Sequence, residues 1–270
     1  GFSYGFTVTT RNREDSWYIR LPPPSVKLEG TADVMRQVTA LNLLPDSVPH
    51  CKVKWFGEDP SWFGRPYFIV PFLEGDTVRL SDSWIRSLPS EVRLGMAKQA
   101  VMAMSEIHNL DWSRASYLGA PIRLDHDVNR WDRFCIKGAE QERLKLVPKV
   151  RELLIAKVPK NIQIGIFHGD FQWSNLFFSK EGELLAVIDW ELVGIGSVLN
   201  DIGWFATFND PMAWDDANHS EYTMPNAEEL ISIYSEMSGT DASDINWYLS
   251  LIHISEPTRL LSIGGGGVWV

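Results

Sequence analysis

The sequence predicts an α+β protein in two lobes: a small β-rich lobe at residues 1–75 and a larger helical lobe at residues 76–248. Three observations predict this arrangement. Strand-forming runs fill the first part of the chain, helical apolar spacing dominates the later part, and a short apolar hairpin lies between the helices. With 270 residues and 44% hydrophobic content, the chain can bury a substantial core.

The first 75 residues combine strands with one helix. Pro22-Pro23-Pro24 ends a strand, because proline cannot continue a ladder, and Thr31–Leu44 has helical apolar spacing. Pro71–Gly75 is the predicted crossover between the lobes. The predicted strands are Phe6–Thr10, Trp17–Leu21, Val53–Phe56 and Tyr67–Val70.

The second lobe is predicted to be mostly helical. An amphipathic helix spans Glu91–His108, and further helical segments span Asp125–Val158 and Ala227–Met237. The apolar runs Leu176–Phe178 and Leu184–Ile188 flank a polar turn that contains glycine, which predicts a β-hairpin.

The ends of this hairpin carry polar side chains. If Gly182 is near the apex, Asn175 lies opposite Asp189. An amide oxygen beside a carboxylate is a pair of hard ligands of the kind that binds Mg²⁺ together with phosphates. Asp170 lies just upstream, on the same side of the hairpin mouth. A carboxylate for a proton and two oxygens for a metal are the protein groups that phosphoryl transfer needs.

The string His168-Gly169-Asp170, followed by Asn175 and the later Asp189, resembles the catalytic loop of the aminoglycoside phosphotransferase (APH) family of kinase-like small-molecule phosphotransferases. The resemblance implies a protein-kinase-like two-lobe fold, with ATP as donor and Mg²⁺ held by Asn175 and Asp189. It also implies that Asp170 is the catalytic base and that His168 is a structural part of the loop, its ring bonded to nearby backbone.

Within this family, the chain most resembles the kinase-like domains related to those fused to acyl-CoA dehydrogenases. The strings that carry this resemblance are Tyr18–Pro24, Asp189–Leu192, Asp201–Trp204 and Asp244–Tyr248.

The resemblance also implies a nucleotide site. Arg20 takes the position of the phosphate-contacting base, and the Pro71 carbonyl and Leu73 N–H would bond the purine edge. The glutamate expected to pair with that base is replaced by Gln37, which leaves Glu29 or Asp33 as its substitute.

Ser3, between Gly1 and Gly5, falls where a phosphate-covering loop would lie, although an ordinary hairpin turn is the alternative.

Trp190 and Asp201 are predicted to be structural. Most tryptophans, including Trp131 and Trp204, are predicted to fill or cover the core. Acidic residues could line a site for a cationic substrate or belong to a solvated loop: Asp210, Asp215, Asp216 and Glu221.

Composition limits the remaining possibilities. The formal charge of −10 argues against nucleic acid as a partner, and no apolar run is long enough for a membrane helix. The two cysteines, Cys51 and Cys135, form no ligand-spaced pair, so we expect a reduced, cytoplasmic protein without a structural disulfide.

Both ends of the sequence have features that bear on whether they are native. The start is neither a signal peptide nor an initiator methionine, so we expect a truncated N-terminus. Leu249–Arg259 resembles translated sequencing adapter, and we expect residues 249–270 to be non-native.

The best-supported hypothesis is an ATP-dependent phosphotransferase that acts on a hydroxyl of a small molecule. A nucleotide-binding pseudokinase or scaffold and a metal-dependent phosphohydrolase are the alternatives. The acceptor stays open among aminoglycosides, other antibiotics, choline-like alcohols and hydroxyacyl thioesters, and so does the oligomeric state.

Overall fold

The computed structural model describes residues 2–79, 82–130, 145, 147–209 and 224–252. Several positions singled out in the sequence lie outside the described residues: Gly1, Trp131, Cys135, Asp210, Asp215, Asp216, Glu221 and the tail from residue 253. Within the described ranges, no helix has both the length and the apolar character needed to cross a membrane.

Four antiparallel strands form the sheet of the first lobe: β1 (Phe2–Thr9), β2 (Glu14–Leu21), β3 (Trp55–Gly57) and β4 (Tyr67–Pro71). Their order in the sheet is β1-β2-β4-β3. The helix α1 (Val34–Leu41) begins where the side chain of Asp33 accepts the Met35 N–H at 2.9 Å, and it buries Val34, Val38 and Leu41. A short helix, α2 (Pro60–Phe63), joins the last two strands.

The chain leaves this sheet after Pro71 and enters a second one at β5 (Asp76–Thr77). There, β5 pairs with β7 (Leu176–Phe178), and β7 pairs with β8 (Leu184–Val187). The last two strands are the hairpin predicted from the sequence. A third sheet joins β6 (Ile164–Phe167) to β9 (Gly194–Ser197).

Helices supply the rest of the second lobe. The long helix Ser90–His108 buries four of its predicted apolar positions completely, namely Met96, Ala100, Met104 and Ile107. Residues 245–252 are also helical. The remaining helices are α3 (Ser83–Ser87), α4 (Ser90–His108), α5 (Leu124–Arg130), α6 (Val147–Ala156), α7 (Leu199–Asn209) and α8 (Ala227–Ser238).

A continuous apolar core runs through both lobes. It joins Val38 and Phe68 of the first lobe to Ile107, Leu176 and Phe205 of the second. The hairpin strands β7 and β8 are part of this core, so the polar residues at their ends are attached to a closely packed support.

Candidate active site

The hairpin exists as predicted, but its register differs by one residue. Leu176 pairs with Val187, and the Ile188 N–H donates to the Asn175 carbonyl at 2.9 Å, so Asn175 lies opposite Ile188 and not Asp189. The turn closes between Ser179 and Glu183, and Gly182 is its last, left-handed residue rather than its apex. The pairs next to the turn differ from the predicted register by two residues, and a bulge between Phe177 and Phe178 reduces the difference to one.

Asp189 nevertheless reaches the same cavity as Asn175. Its φ of 63° is left-handed, which is uncommon for a residue with a side chain and turns the chain away from the strand direction. The Asn175 Nδ2 donates to the Asp170 carbonyl at 2.8 Å. This bond uses the nitrogen of the amide and not its oxygen, the atom that could bind a metal.

The loop from His168 to Asp170 is built around its own backbone. The Asp170 N–H donates to His168 Nδ1 at 3.2 Å, and His168 Nε2 donates to the Ile188 carbonyl at 2.9 Å. Both ring nitrogens thus bond backbone, as the sequence predicted for this histidine. Gly169 turns the chain with a φ of 85°.

Asp201 holds the backbone of this loop through hydrogen bonds. Its carboxylate is fully buried and accepts the N–H groups of His168 at 2.7 Å and Gly169 at 2.8 Å, together with His108 Nε2 at 3.1 Å. Burial alone would raise the pKa of Asp201, but these donors and the nearby histidine rings hold the pKa below its ordinary value. The predicted structural role therefore has a specific form, which is support of the loop backbone.

A cavity of about 550 Å³ lies between the two lobes. It is lined by five of the predicted site residues, namely Arg20, Pro71, Leu73, Asn175 and Asp189. The carboxylate of Asp170 does not line this cavity. It accepts hydrogen bonds from Gln172 and Trp204. The backbone carbonyl of Asp170, not its carboxylate, bonds the cavity-lining residue Asn175.

Arg20 is anchored by two carboxylates. Its Nη2 donates to Asp189 Oδ1 at 2.9 Å and to Glu191 Oε2 at 2.8 Å, and the three side chains are 18%, 33% and 28% exposed. The expected substitutes have other partners, so that prediction was wrong. Asp33 caps α1, and Glu29 pairs with Lys27 on the surface.

Gln37 is buried and lines the cavity, 3% exposed. Arg20 Nε is also buried, and it has no hydrogen-bond partner within the part of the chain that the structure describes. A buried donor of this kind is unfavourable unless a ligand supplies an acceptor. Because Arg20 Nε is almost fully covered, its unpaired N–H is a local cost to folding and not an open position for a ligand.

Ser3 does not lie in a loop. It is a residue of β1 opposite Arg20, and its hydroxyl accepts a hydrogen bond from Arg20 Nη1 at 3.2 Å. Gly5 lies in the same strand, opposite Tyr18. The prediction of a phosphate-covering loop at these residues was wrong, because cross-strand pairing with β2 continues from Phe2 to Thr9.

Cys51 also lines the cavity. Burial raises the pKa of its thiol to about 11, so the sulfur is a neutral, apolar part of the wall at physiological pH.

Sequence reasoning missed the contacts of two residues. Glu191 was quoted only within a motif, and Trp204 was assigned to the core, yet one binds Arg20 and the other binds Asp170. Their partners are 171 and 34 residues away in sequence. No local pattern marks such contacts, although the acidic residue two positions after Asp189 was a signal that could have been followed.

Residues 3–230 match the phosphotransferase enzyme family (APH). The chain belongs to this family. The family and the enzyme class predicted from the sequence, a phosphotransferase, are thereby confirmed.

Acyl-CoA dehydrogenase family member 11 of Pongo abelii is 27% identical over 244 residues. That match covers 86% of this chain and 31% of the relative, so the chain spans less than a third of the relative's length.

Two solved structures show the fold of this phosphotransferase. The GDP complex of aminoglycoside 2′-phosphotransferase-IIIa has a TM-score of 0.68 at 15% identity and covers 98% of this chain and 84% of that one. Choline kinase LicA from Streptococcus pneumoniae has a TM-score of 0.58 at 15% identity, with the same coverage of 98% and 84%. The predicted α+β, kinase-like two-lobe fold is confirmed.

Among the described residues, no group of three or more His, Cys, Asp or Glu side chains could hold a metal ion. A cation between Asn175 and Asp189 would need further oxygens from a bound phosphate or from water.

Proposed function

We propose that this chain transfers the γ-phosphate of ATP to a hydroxyl group of a small molecule, with Asp170 as the base. The observation that carries the proposal is the shared cavity of Arg20, Asn175 and Asp189, next to the loop that holds Asp170. The GDP bound by one structural relative and the choline and aminoglycosides in the names of others support a nucleotide donor and a small acceptor.

The proposed reaction is an in-line displacement. The acceptor oxygen forms a bond to the γ-phosphorus, the bond to the β–γ bridging oxygen breaks, and ADP leaves. The proton of the acceptor hydroxyl moves to the carboxylate of Asp170. Asp170 also orients that hydroxyl, so its contribution is proton transfer combined with positioning.

Different residues of the cavity would bind the purine, the phosphates and the metal ion. The Pro71 carbonyl and the Leu73 N–H would form hydrogen bonds to the purine. Arg20, which donates a hydrogen bond to the Ser3 hydroxyl, would contact phosphate. Asn175 and Asp189 would hold Mg²⁺, which neutralises charge on the phosphates when bound. The donor set fits, because it joins one carboxylate to an amide whose nitrogen is already bonded elsewhere.

An ADP-release screen tests this function. Purified protein is incubated with MgATP and a panel of hydroxyl compounds that includes choline, aminoglycosides and hydroxyacyl thioesters. Asp170→Ala should lower turnover by about 10²–10⁴-fold and leave ATP affinity within about twofold, because the base acts in the chemical step. An unchanged turnover would remove Asp170 from the mechanism.

One observation favours the pseudokinase as the second candidate. The neutral Gln37 occupies the cavity where the family uses an acid, so the phosphate-contacting base lacks its usual partner. Tight ATP binding without phosphate transfer to any compound of the panel would support that alternative over the proposed enzyme.

A further inference from the structure

Two hydrogen-bond donors meet on one oxygen of Asp170. The indole Nε1–H of Trp204 donates to Oδ1 at 2.9 Å, and Gln172 Nε2 donates to the same atom at 2.8 Å. Asp170 is 8% exposed and Trp204 is 6% exposed, so little water competes with the indole. Charge-assisted bonds in such a setting are strong, and two of them on one oxygen restrict rotation of the carboxylate.

Trp204 belongs to the helix that also holds the backbone of the loop. Asp201 and Trp204 are three residues apart on α7, so their side chains project from one face of the helix. Asp201 bonds the N–H groups of His168 and Gly169, while Trp204 bonds the carboxylate of the next residue. One helical turn therefore sets both the path of the loop and the direction of its acid.

We propose that Trp204, together with Gln172, is a positioning residue that orients the carboxylate of Asp170 for proton transfer. This inference rests on the proposed role of Asp170 as the base. Proton transfer needs the carboxylate within hydrogen-bond reach of the acceptor hydroxyl, so a freely rotating carboxylate would spend less time in the productive orientation.

The first test compares Trp204→Phe with the wild type. Phenylalanine keeps an aromatic ring beside Phe208 and removes the indole donor together with part of the ring volume, a loss that Trp247→Phe below reproduces. We expect kcat to fall about tenfold or more, with the KM for MgATP within about twofold, because the lost hydrogen bond is to a charged group that acts in the chemical step. Gln172→Met should act in the same direction.

A double variant separates positioning from general damage. Because Trp204 acts through Asp170, Trp204→Phe should lower kcat no further when Asp170 is already alanine. Trp247→Phe is the matched control, since Trp247 loses an equivalent indole bond, 3.0 Å to the Leu154 carbonyl. Its kcat should stay at the wild-type value.

An NMR measurement tests the contact without turnover. The indole N–H resonance of Trp204, identified by its absence from Trp204→Phe, should shift in Asp170→Asn, whereas that of Trp247 should not. An unmoved Trp204 resonance, a normal kcat in Trp204→Phe, or a further loss in the double variant would overturn the positioning role. A normal kcat in Asp170→Ala would instead overturn the proposed base.

Discussion

Replacing Gly169 by alanine tests how closely the loop from His168 to Asp170 fits the segment after Asp189. Gly169 has a φ of 85°, and a Cβ there would lie 2.4 Å from the carbonyl oxygen of Leu192 and 2.9 Å from the Leu192 Cβ. Two separate costs follow. A residue with a side chain is strained in the left-handed conformation, and the added carbon forces the loop or the Leu192 backbone to move.

Gly239→Ala separates these two costs. Gly239 has a similar φ of 68°, and a Cβ there would meet nothing within 4 Å. We expect Gly239→Ala to lower the free energy of unfolding by about 1 kcal/mol, from the backbone conformation alone. Gly169→Ala should lower it by about 3 kcal/mol, because displacing closely packed structure adds about 2 kcal/mol.

Urea unfolding monitored by circular dichroism measures both free energies. The difference between the two variants gives the cost of the contact with Leu192, since the change in the unfolded chain is common to both. Equal losses of stability would refute the steric reasoning. They would show that the loop accommodates the added carbon with no further decrease in the free energy of unfolding.

The remaining predictions concern two carboxylates. Glu191→Ala should weaken MgATP binding by about fivefold, because Arg20 loses one of its two partners in a partly buried ion pair worth about 1 kcal/mol. Calorimetric titration measures this, with Glu29→Ala as the control at an exposed pair, and equal affinities in both variants would contradict the anchoring role. Asp201→Asn should lower the free energy of unfolding by about 3 kcal/mol at pH 7. Because folding lowers the pKa of Asp201, its stabilisation is complete above the ordinary aspartate value of about 3.9 and is lost as the pH falls from there through the folded value. Unfolding measured across this range should show a larger acid-dependent loss of stability in the wild type than in the variant, and an identical loss in both would exclude a contribution from Asp201.

The elements of this fold were predictable where the local signal was strong. Apolar spacing from Glu91 to His108 predicted α4, and two apolar runs around a glycine-containing turn predicted the hairpin. The register was not predictable, because it depends on whether Gly182 takes the apex or the last turn position. Both positions accept glycine, and only the backbone hydrogen bonds of the turn distinguish them.

The sequence selected candidate residues that the structure places near one another, but it did not predict the contacts that hold them. The motif spacing selected Asp170, Asn175 and Asp189, and the last two line one cavity. The anchoring of Arg20 by Glu191 and the bond from Trp204 to Asp170 join distant parts of the chain. Such contacts depend on how the lobes and helices pack, which no local sequence pattern specifies.

The cysteine in the cavity wall has a consequence for handling and inhibition of this protein. A thiol with a pKa near 11 exists almost wholly in its protonated form in cells, and oxidants and alkylating agents react with the thiolate. We therefore expect Cys51 to react slowly with oxidants and alkylating agents, although it borders a cleft large enough for small molecules. Electrophilic compounds aimed at this sulfur would have to bring a base of their own.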